Sequence, residues 1–316
     1  MNDANGTVPG ATRRTAARTA HAVLLLMVII WGINFPIAKA ALQELTPLAF
    51  NALRFPLAAL TVLIAILLRG GSRWPERRDV LRVLGLGILG NLFYQQFFIF
   101  GLAHTRAGTA SVLLAGTPII TAVLSAAVGH ESVSRRTWIG VLATSAGIAL
   151  VVLSGSDHQT GDSTLLGDLL MVGASVSWAV YTVGSRDLIN RYGSVQFTAW
   201  TLWIGAIGLC IIGLPDVLRT DLSAVSTSAW FGVVYAGALS VGLAYLIWYH
   251  GVRQIGNTRT SAYSNLVPVV ALLAAWLYLG EVPHPLQVVG AAVIIAGITL
   301  AQTRTRHVPA AGSAAG

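Results

Sequence analysis

The chain has 316 residues, of which 55% are hydrophobic and only 10% are charged. A typical soluble domain carries about 25% charged residues, and a chain of this length cannot hide so much apolar surface from water. The composition therefore excludes a water-soluble globular enzyme, a disordered protein and a collagen-like fibre, and it indicates a protein of the lipid bilayer. The single cysteine, Cys210, excludes an intrachain disulfide and a cysteine-based metal site.

Apolar stretches of the length that crosses a bilayer core, about 20 residues, recur along the chain. They predict an all-α integral membrane protein with ten transmembrane helices, at 21–42, 47–68, 80–102, 107–129, 137–154, 165–185, 194–214, 228–250, 259–280 and 285–303. The connections are short and leave no room for a soluble domain. The first stretch follows arginines and would also suit a secretory signal, but nine further stretches come after it.

The distribution of arginine predicts the orientation. If the N-terminus is cytoplasmic, sixteen of the 20 Lys and Arg residues lie on cytoplasmic segments and two, Arg106 and Arg219, lie outside. This asymmetry predicts cytoplasmic termini and a multi-pass protein of the cell membrane (plasma or inner). The formal charge of +8 is spread over all cytoplasmic loops, so we expect no nucleic-acid partner.

The second half of the chain repeats the first. At an offset of 150 residues the halves match at Pro118 and Pro268, Glu131 and Glu281, Gly140 and Gly290, and Ala146-Gly147-Ile148 and Ala296-Gly297-Ile298. Their starts match more weakly, at Trp31 and Trp178. Each half holds five predicted helices, and because five is odd the halves must cross the membrane in opposite senses. Such inverted repeats place the substrate site near the midplane, between the halves.

The repeat divides the chain into five parts. We expect a disordered cytoplasmic tail at 1–18, a first repeat at 19–154, an external linker at 155–164, a second repeat at 165–303 and a cytoplasmic tail at 304–316. The symmetry of Glu131 and Glu281, which end helices on opposite sides, suggests a packing or gating role.

Four motifs in order resemble the EamA family of the drug/metabolite transporter (DMT) superfamily over about residues 23–302. They are Trp31-Gly32-Ile33-Asn34-Phe35 with Lys39; Thr46-Pro47 with Asn51-Ala52-Leu53-Arg54-Phe55; Leu166-Gly167-Asp168-Leu169 with Ser177-Trp178-Ala179-Val180-Tyr181; and the paired segments from Pro118 to Glu131 and from Pro268 to Glu281. The resemblance implies ten helices, a central cavity lined mainly by the first four helices of each half, and export of metabolites or amino acids. The family is broad, so the resemblance does not name a substrate.

Polar residues at membrane depth are candidates for function. Trp31, Asn34, Phe35 and Lys39 share one face of the first helix. We expect Asn34 either to line the cavity or to bond a neighbouring helix, and Lys39 either to reach the outer interface or to contact substrate.

Asn51 and Arg54 lie three residues apart on the second helix. No carboxylate in the spans is available to neutralise Arg54, which leaves helix ends, carbonyls or an anionic group of the substrate as partners. Both a structural role and a substrate role remain open for Arg54.

Further polar and aromatic residues share faces on later helices and complete the candidate cavity. They are Asn91, Tyr94, Gln95, Trp178, Tyr181, Gln196, Tyr245, Tyr263 and Asn265. Aromatic walls with a few hydrogen-bonding groups suit an amphipathic small molecule.

The twelve acidic residues lie in tails, loops or span ends, so we expect a neutral, zwitterionic or anionic substrate. The leading hypothesis is a secondary transporter that exports amino acids or related metabolites by alternating access. The alternatives are a membrane-embedded scaffold or receptor and a multidrug-type exporter. Hydrolase and metalloprotease motifs are missing from the sequence, so we expect no catalytic activity, no cofactor and no metal ion. We expect the protein to be a monomer or a homodimer.

Overall fold

The computed structural model of the protein describes residues 10–68, 70, 74–128, 135–154, 164–255, 260 and 263–302. This part of the chain consists of helices and turns, without a strand. The α-helices are α1 (Gly10–Ala41), α2 (Pro47–Leu67), α3 (Val80–Gly87), α4 (Tyr94–His104), α5 (Ala107–Ala115), α6 (Thr117–Ala127), α7 (Arg135–Ser154), α8 (Leu165–Tyr192), α9 (Ser194–Arg219), α10 (Thr227–Val234), α11 (Ala244–Ile255), α12 (Val267–Leu279) and α13 (Pro285–Gln302).

Seven helical segments in the described residues are long and apolar enough to cross a membrane. They are His21–Ala41, Pro47–Leu67, Arg77–His104, Ala107–Ala127, Leu165–Tyr192, Ser194–Arg219 and Thr227–Trp248. Three shorter apolar helices, Trp138–Val151, Val267–Leu279 and Pro285–Leu300, coincide with the other predicted spans. Many large apolar side chains remain exposed, among them Leu142 and Leu277, as expected where lipid rather than water surrounds the helices.

Local sequence explains where several helices begin and end. The Thr46 hydroxyl accepts from the Ala49 backbone N–H, and Pro47 occupies the first turn of α2, where its missing N–H is tolerated. Ser226 caps α10 in the same way through the Ala229 N–H. Gly280 ends α12 at a φ of +69°, a left-handed conformation that side chains disfavour.

The helix α1 begins at Gly10, within the segment 1–18 assigned to a disordered tail from the sequence. Alanine and arginine fill much of 11–18, and both residues favour helix. Residues 155–163 of the linker, the tail at 304–316 and Glu131 lie outside the described residues.

Two π-helical segments interrupt long helices, Ile88–Phe93 between α3 and α4 and Tyr235–Leu243 between α10 and α11. The two segments begin 147 residues apart, and the same offset separates Trp31 from Trp178, where the starts of the two halves match. They therefore occupy corresponding places in the two halves. A side chain at Gly237 would collide with the Arg54 carbonyl oxygen, so glycine permits a close approach of the second π segment to α2. Single π turns occur often at functional sites, and both segments border the site described below.

The helices of the two halves pack across each other in matching pairs. The first half is α1–α7 and the second is α8–α13. Helix α7 packs against α13 and α2 packs against α9, and in each pair the two helices hold the same place in their halves. The contact of α4 with α8 has its counterpart in that of α11 with α1, and the contact of α6 with α8 has its counterpart in that of α12 with α1. Where α7 crosses α13, a Cβ at Gly147 would lie 2.8 Å from the Gly290 carbonyl oxygen, and one at Gly290 would lie 2.9 Å from the Gly147 oxygen. Each of these pairs is thus exchanged with itself or with another of them when the two halves are exchanged.

Candidate functional site

A row of aromatic rings crosses the boundary between the halves. The Trp178 ring on α8 lies 4.9 Å from Tyr94 on α4, 5.2 Å from Tyr181 and 6.1 Å from Tyr245 on α11. The Tyr245 ring lies 6.1 Å from Trp31 on α1, edge to face. All five residues are predicted cavity residues, and we call them the aromatic chain. The structure brings them together from four helices.

Hydrogen bonds hold parts of the aromatic chain in place. The Trp31 Nε1–H donates to the Ser240 carbonyl oxygen in the second π segment, at 2.9 Å. The Tyr181 hydroxyl pairs with the Thr201 hydroxyl at 3.0 Å. The Trp31 N–H and the Tyr181 hydroxyl are therefore satisfied by protein groups.

Phe98 extends the aromatic chain to the predicted residue Phe35. Its ring lies 6.2 Å from Tyr94 and 5.8 Å from Phe35. Phe98 is not among the residues predicted from the sequence, although it follows Tyr94 by four residues and therefore shares its helical face.

A cluster of amides surrounds the guanidinium of Arg54, which is 1% exposed. The Arg54 Nε donates to Asn51 Oδ1 at 3.0 Å, and Nη2 donates to Gln95 Oε1 at 2.8 Å. The Asn51 amide in turn donates to the Gln95 carbonyl oxygen at 3.3 Å and to Gln96 Oε1 at 3.2 Å. We call Asn51, Arg54, Gln95 and Gln96 the amide cluster. Of these, Gln96 is not among the residues predicted from the sequence.

Aromatic rings join the amide cluster to the aromatic chain. The Arg54 guanidinium carbon lies 5.0 Å from the ring centre of Phe50, 5.4 Å from Phe55 and 5.7 Å from Phe98. The charge is thus placed for cation–π attraction with three rings. Since Phe98 also contacts Tyr94, the cluster and the chain form one continuous site.

Lys39 lies in a different environment, at the end of α4. Its Nζ donates to the carbonyl oxygens of Leu102, Ala103 and Thr105 at 3.1, 3.2 and 2.6 Å. A cation at a helix C-terminus is stabilised by the helix dipole, so this arrangement fastens α1 to α4.

Besides Phe35 and Lys39, five predicted residues belong neither to the aromatic chain nor to the amide cluster. Tyr263 bonds His21 through its hydroxyl at 2.5 Å, and Gln196 lies in the first turn of α9. Asn265, in the turn before α12, and Asn91, in the first π segment, are both buried. Asn34 is 5% exposed beside Phe35 on α1, and its Oδ1 has no hydrogen-bond partner among the described residues.

The connections 42–46, 105–106, 220–226 and 280–284 lie at one end of the bundle, which we call the Thr105 end. Polar bonds there run from one half to the other. Ser226 donates to Glu44 through its backbone N–H at 2.7 Å and its hydroxyl at 2.6 Å, and the Thr46 hydroxyl donates to Asp216 at 2.6 Å. The two hydrogen bonds from Ser226 hold the pKa of Glu44 below its usual value, and the bond from the hydroxyl has the larger effect.

Glu281 also lies at the Thr105 end, at the N-terminus of α5. Its carboxylate accepts from the backbone N–H groups of Ala107 and Gly108 at 3.1 and 3.3 Å, and it lies 4.0 Å from the Arg106 guanidinium. A negative charge at a helix N-terminus is favourable. The contact gives Glu281 a role in packing the end of α12 against α5.

In the part of the chain that the structure describes, no group of three or more His, Cys, Asp or Glu residues is placed to hold a metal ion. The residues of the site offer rings, amides and one cation. Their chemistry suits noncovalent binding of a small organic molecule.

The sequence profile of the EamA-like transporter family matches residues 18–153 and, a second time, residues 165–303. The chain therefore belongs to the EamA family of the DMT superfamily and contains two EamA repeats. It is a multi-pass membrane transporter.

Related proteins match over most of their length. The uncharacterized transporter YyaM of Bacillus subtilis (strain 168) is 28% identical over 283 residues, which cover 89% of this chain and 92% of YyaM. The uncharacterized transporter YdfC of the same organism is 29% identical, with coverages of 86% and 87%. A protein of Streptantibioticus cattleyicolor named "Probable terminal-alkyne amino-acid exporter" is 29% identical over 287 residues, with coverages of 89% and 93%.

A crystal structure of a protein with 22% sequence identity superimposes with a TM-score of 0.65. The match covers 93% of this chain and 99% of the other. At this identity the likeness shows the fold alone.

Proposed function

We propose that this protein is a secondary transporter that exports amino acids or related small zwitterionic, anionic or neutral metabolites by alternating access. The observation that carries the proposal is the aromatic chain. Its rings come from α1 and α4 of the first half and from α8 and α11 of the second, and they meet around Trp178. In transporters built from repeats, a site between the halves is exposed to one side of the membrane and then the other as the halves rock.

The groups in the site support the choice of substrate class. Trp178 and Tyr94 offer ring faces, while the amide cluster offers hydrogen bonds and a positive charge. This combination fits a small molecule with an apolar body and a polar or negative end. The name of the Streptantibioticus cattleyicolor relative refers to an amino-acid exporter, which agrees with that chemistry.

The test is flux through the purified protein in liposomes. Liposomes are loaded with labelled amino acids and other small metabolites, and efflux is followed with and without a pH gradient. We expect at least one compound to leave these liposomes faster than it leaves equally loaded liposomes without protein. A dependence of the rate on the pH gradient would indicate proton coupling. Binding without flux would favour a receptor or scaffold, and flux confined to organic cations would favour a multidrug-type exporter; either result would contradict the proposal.

We also propose ten membrane spans in two inverted repeats, in the cell membrane with both termini in the cytoplasm. The helix α7 has 20 residues and α13 has 18, lengths of about 30 and 27 Å that suffice to cross a bilayer core. Topology reporters fused after Arg18 and after Gly316 should read cytoplasmic, and one inserted at Asp157 should read external. The opposite reading at any of the three positions would overturn the orientation.

A further inference from the structure

The guanidinium of Arg54 has more hydrogen-bond donors than the acceptors that surround it in the described residues. A guanidinium carries five N–H donors. In the described residues one hydrogen bond runs from Nε to Asn51 and one from Nη2 to Gln95, while Nη1 bonds no acceptor. No described carboxylate lies within ion-pair distance of Arg54 either. Several donors of a nearly fully buried cation are therefore open.

Lys39 shows that this fold can satisfy an internal cation completely. An ammonium group has three donors, and three carbonyl oxygens lie within hydrogen-bond distance of the Lys39 Nζ. The open donors of Arg54 are thus not a general property of cations in this protein.

The partners of Arg54 orient its charge without neutralising it. Asn51 and Gln95 are neutral amides, and each fixes one edge of the planar group. The rings of Phe50, Phe55 and Phe98 lie around it and exclude water. A buried charge without a counter-charge is costly, and an anionic partner that arrives in the site offsets that cost.

The open donors border the aromatic chain. Phe98, 5.7 Å from the guanidinium carbon, also contacts the Tyr94 ring at 6.2 Å, so one ring separates the guanidinium from the aromatic chain.

We propose that Arg54 binds the carboxylate of the transported molecule, whose apolar body lies against Tyr94 and Trp178. The proposal rests on the proposed function and narrows its substrate to molecules with a carboxylate. A carboxylate accepts two parallel hydrogen bonds from a guanidinium, which a lysine ammonium cannot reproduce. Asn51 and Gln95 position the guanidinium for this contact.

The binding test compares two probes that differ only at the carboxylate, 3-phenylpropionate and 3-phenylpropionamide. Their dissociation constants are measured at pH 7 from ligand-dependent thermal stabilisation of the purified protein in detergent. We expect the acid to bind wild type at least about tenfold more tightly than the amide, because a charge-assisted bidentate contact contributes more than about 1.4 kcal/mol. Equal affinities for the two probes would overturn the proposal.

Variants assign the preference to Arg54. Arg54→Lys should lower the acid-to-amide preference to about threefold or less, since it loses the bidentate contact. Arg82→Gln is the matched control, because the Arg82 side chain is 51% exposed, and it should keep the wild-type preference. An unchanged preference in Arg54→Lys would overturn the proposal. If Arg54→Lys does not fold, equal affinities of wild type for the two probes still overturn the proposal, and Gln95→Ala, which removes a partner that positions the guanidinium, should lower the preference in its place.

A flux arm separates this proposal from the proposed function. If liposomes release amino acids and their amides at equal rates, transport stands and the carboxylate contact at Arg54 is refuted. If the protein binds 3-phenylpropionate selectively through Arg54 but releases no compound, the contact stands and the transport function fails.

Discussion

The Thr105 end and the middle of the bundle each hold a cation among helices, and they hold it in opposite ways. At the Thr105 end, Lys39 donates to three carbonyl oxygens, and neighbouring bonds tie the two halves together. In the middle, Arg54 has two neutral partners and open donors. The difference indicates that Lys39 serves the structure and that Arg54 serves a ligand.

The largest effect is expected on stability when Lys39 is replaced. Lys39→Met removes charge-assisted hydrogen bonds to the end of α4 and should lower the free energy of unfolding by about 2 to 3 kcal/mol. Thermal unfolding in detergent measures the loss. Transport per folded molecule should stay near wild type, and a changed substrate preference at an unchanged melting temperature would place Lys39 in the site instead.

The next effect is expected on transport when the centre of the aromatic chain is truncated. Trp178 contacts rings on two other helices and remains partly exposed, so Trp178→Ala should enlarge the site rather than open a void in a packed core. We expect transport to fall about tenfold or more, a loss of about 1.4 kcal/mol or greater, at normal membrane abundance. Tyr94→Ala should behave alike, and Trp178→Phe should lose less. Normal transport in both alanine variants would refute the site.

A smaller effect is expected at Glu281. Glu281→Gln keeps an acceptor for the Ala107 N–H but removes the negative charge from the N-terminus of α5 and from Arg106. The free energy of unfolding should fall by about 0.5 to 1 kcal/mol, with substrate affinity unchanged. A loss of substrate binding without a loss of stability would contradict a packing role.

The smallest effect is a pH dependence at Glu44. The hydrogen bonds from Ser226 hold the pKa of Glu44 below its unfolded value of about 4.3. Their contribution is therefore complete above that value and is lost as the pH falls through the lower, folded pKa. The difference in melting temperature between wild type and Glu44→Gln should shrink as the pH is lowered from 6 to 3. A difference that stays constant would show that the Glu44 charge does not contribute.

The membrane fold and all five residues of the aromatic chain could be predicted from the sequence, because helical spacing and hydrophobic length are local signals. Tyr94, Trp178 and Tyr245 could be assigned to helix faces without knowing their neighbours. The partners of Lys39 could not be predicted, since they are backbone carbonyls 63 to 66 residues away, and carbonyls carry no residue signature. The bond between Arg54 and the Gln95 side chain could not be predicted either, because the two residues lie 41 positions apart and only the packing of α2 against α4 brings them together. The π segments were also missed, because no residue type specifies them.

The most direct test of the central claim is substrate efflux from liposomes by wild type, Trp178→Ala and Lys39→Met, each expressed per folded molecule. We expect Trp178→Ala to lose most of its efflux and Lys39→Met to retain it, because the middle of the bundle binds the substrate and the Thr105 end holds the helices together. Retained efflux in Trp178→Ala together with lost efflux in Lys39→Met would contradict that account.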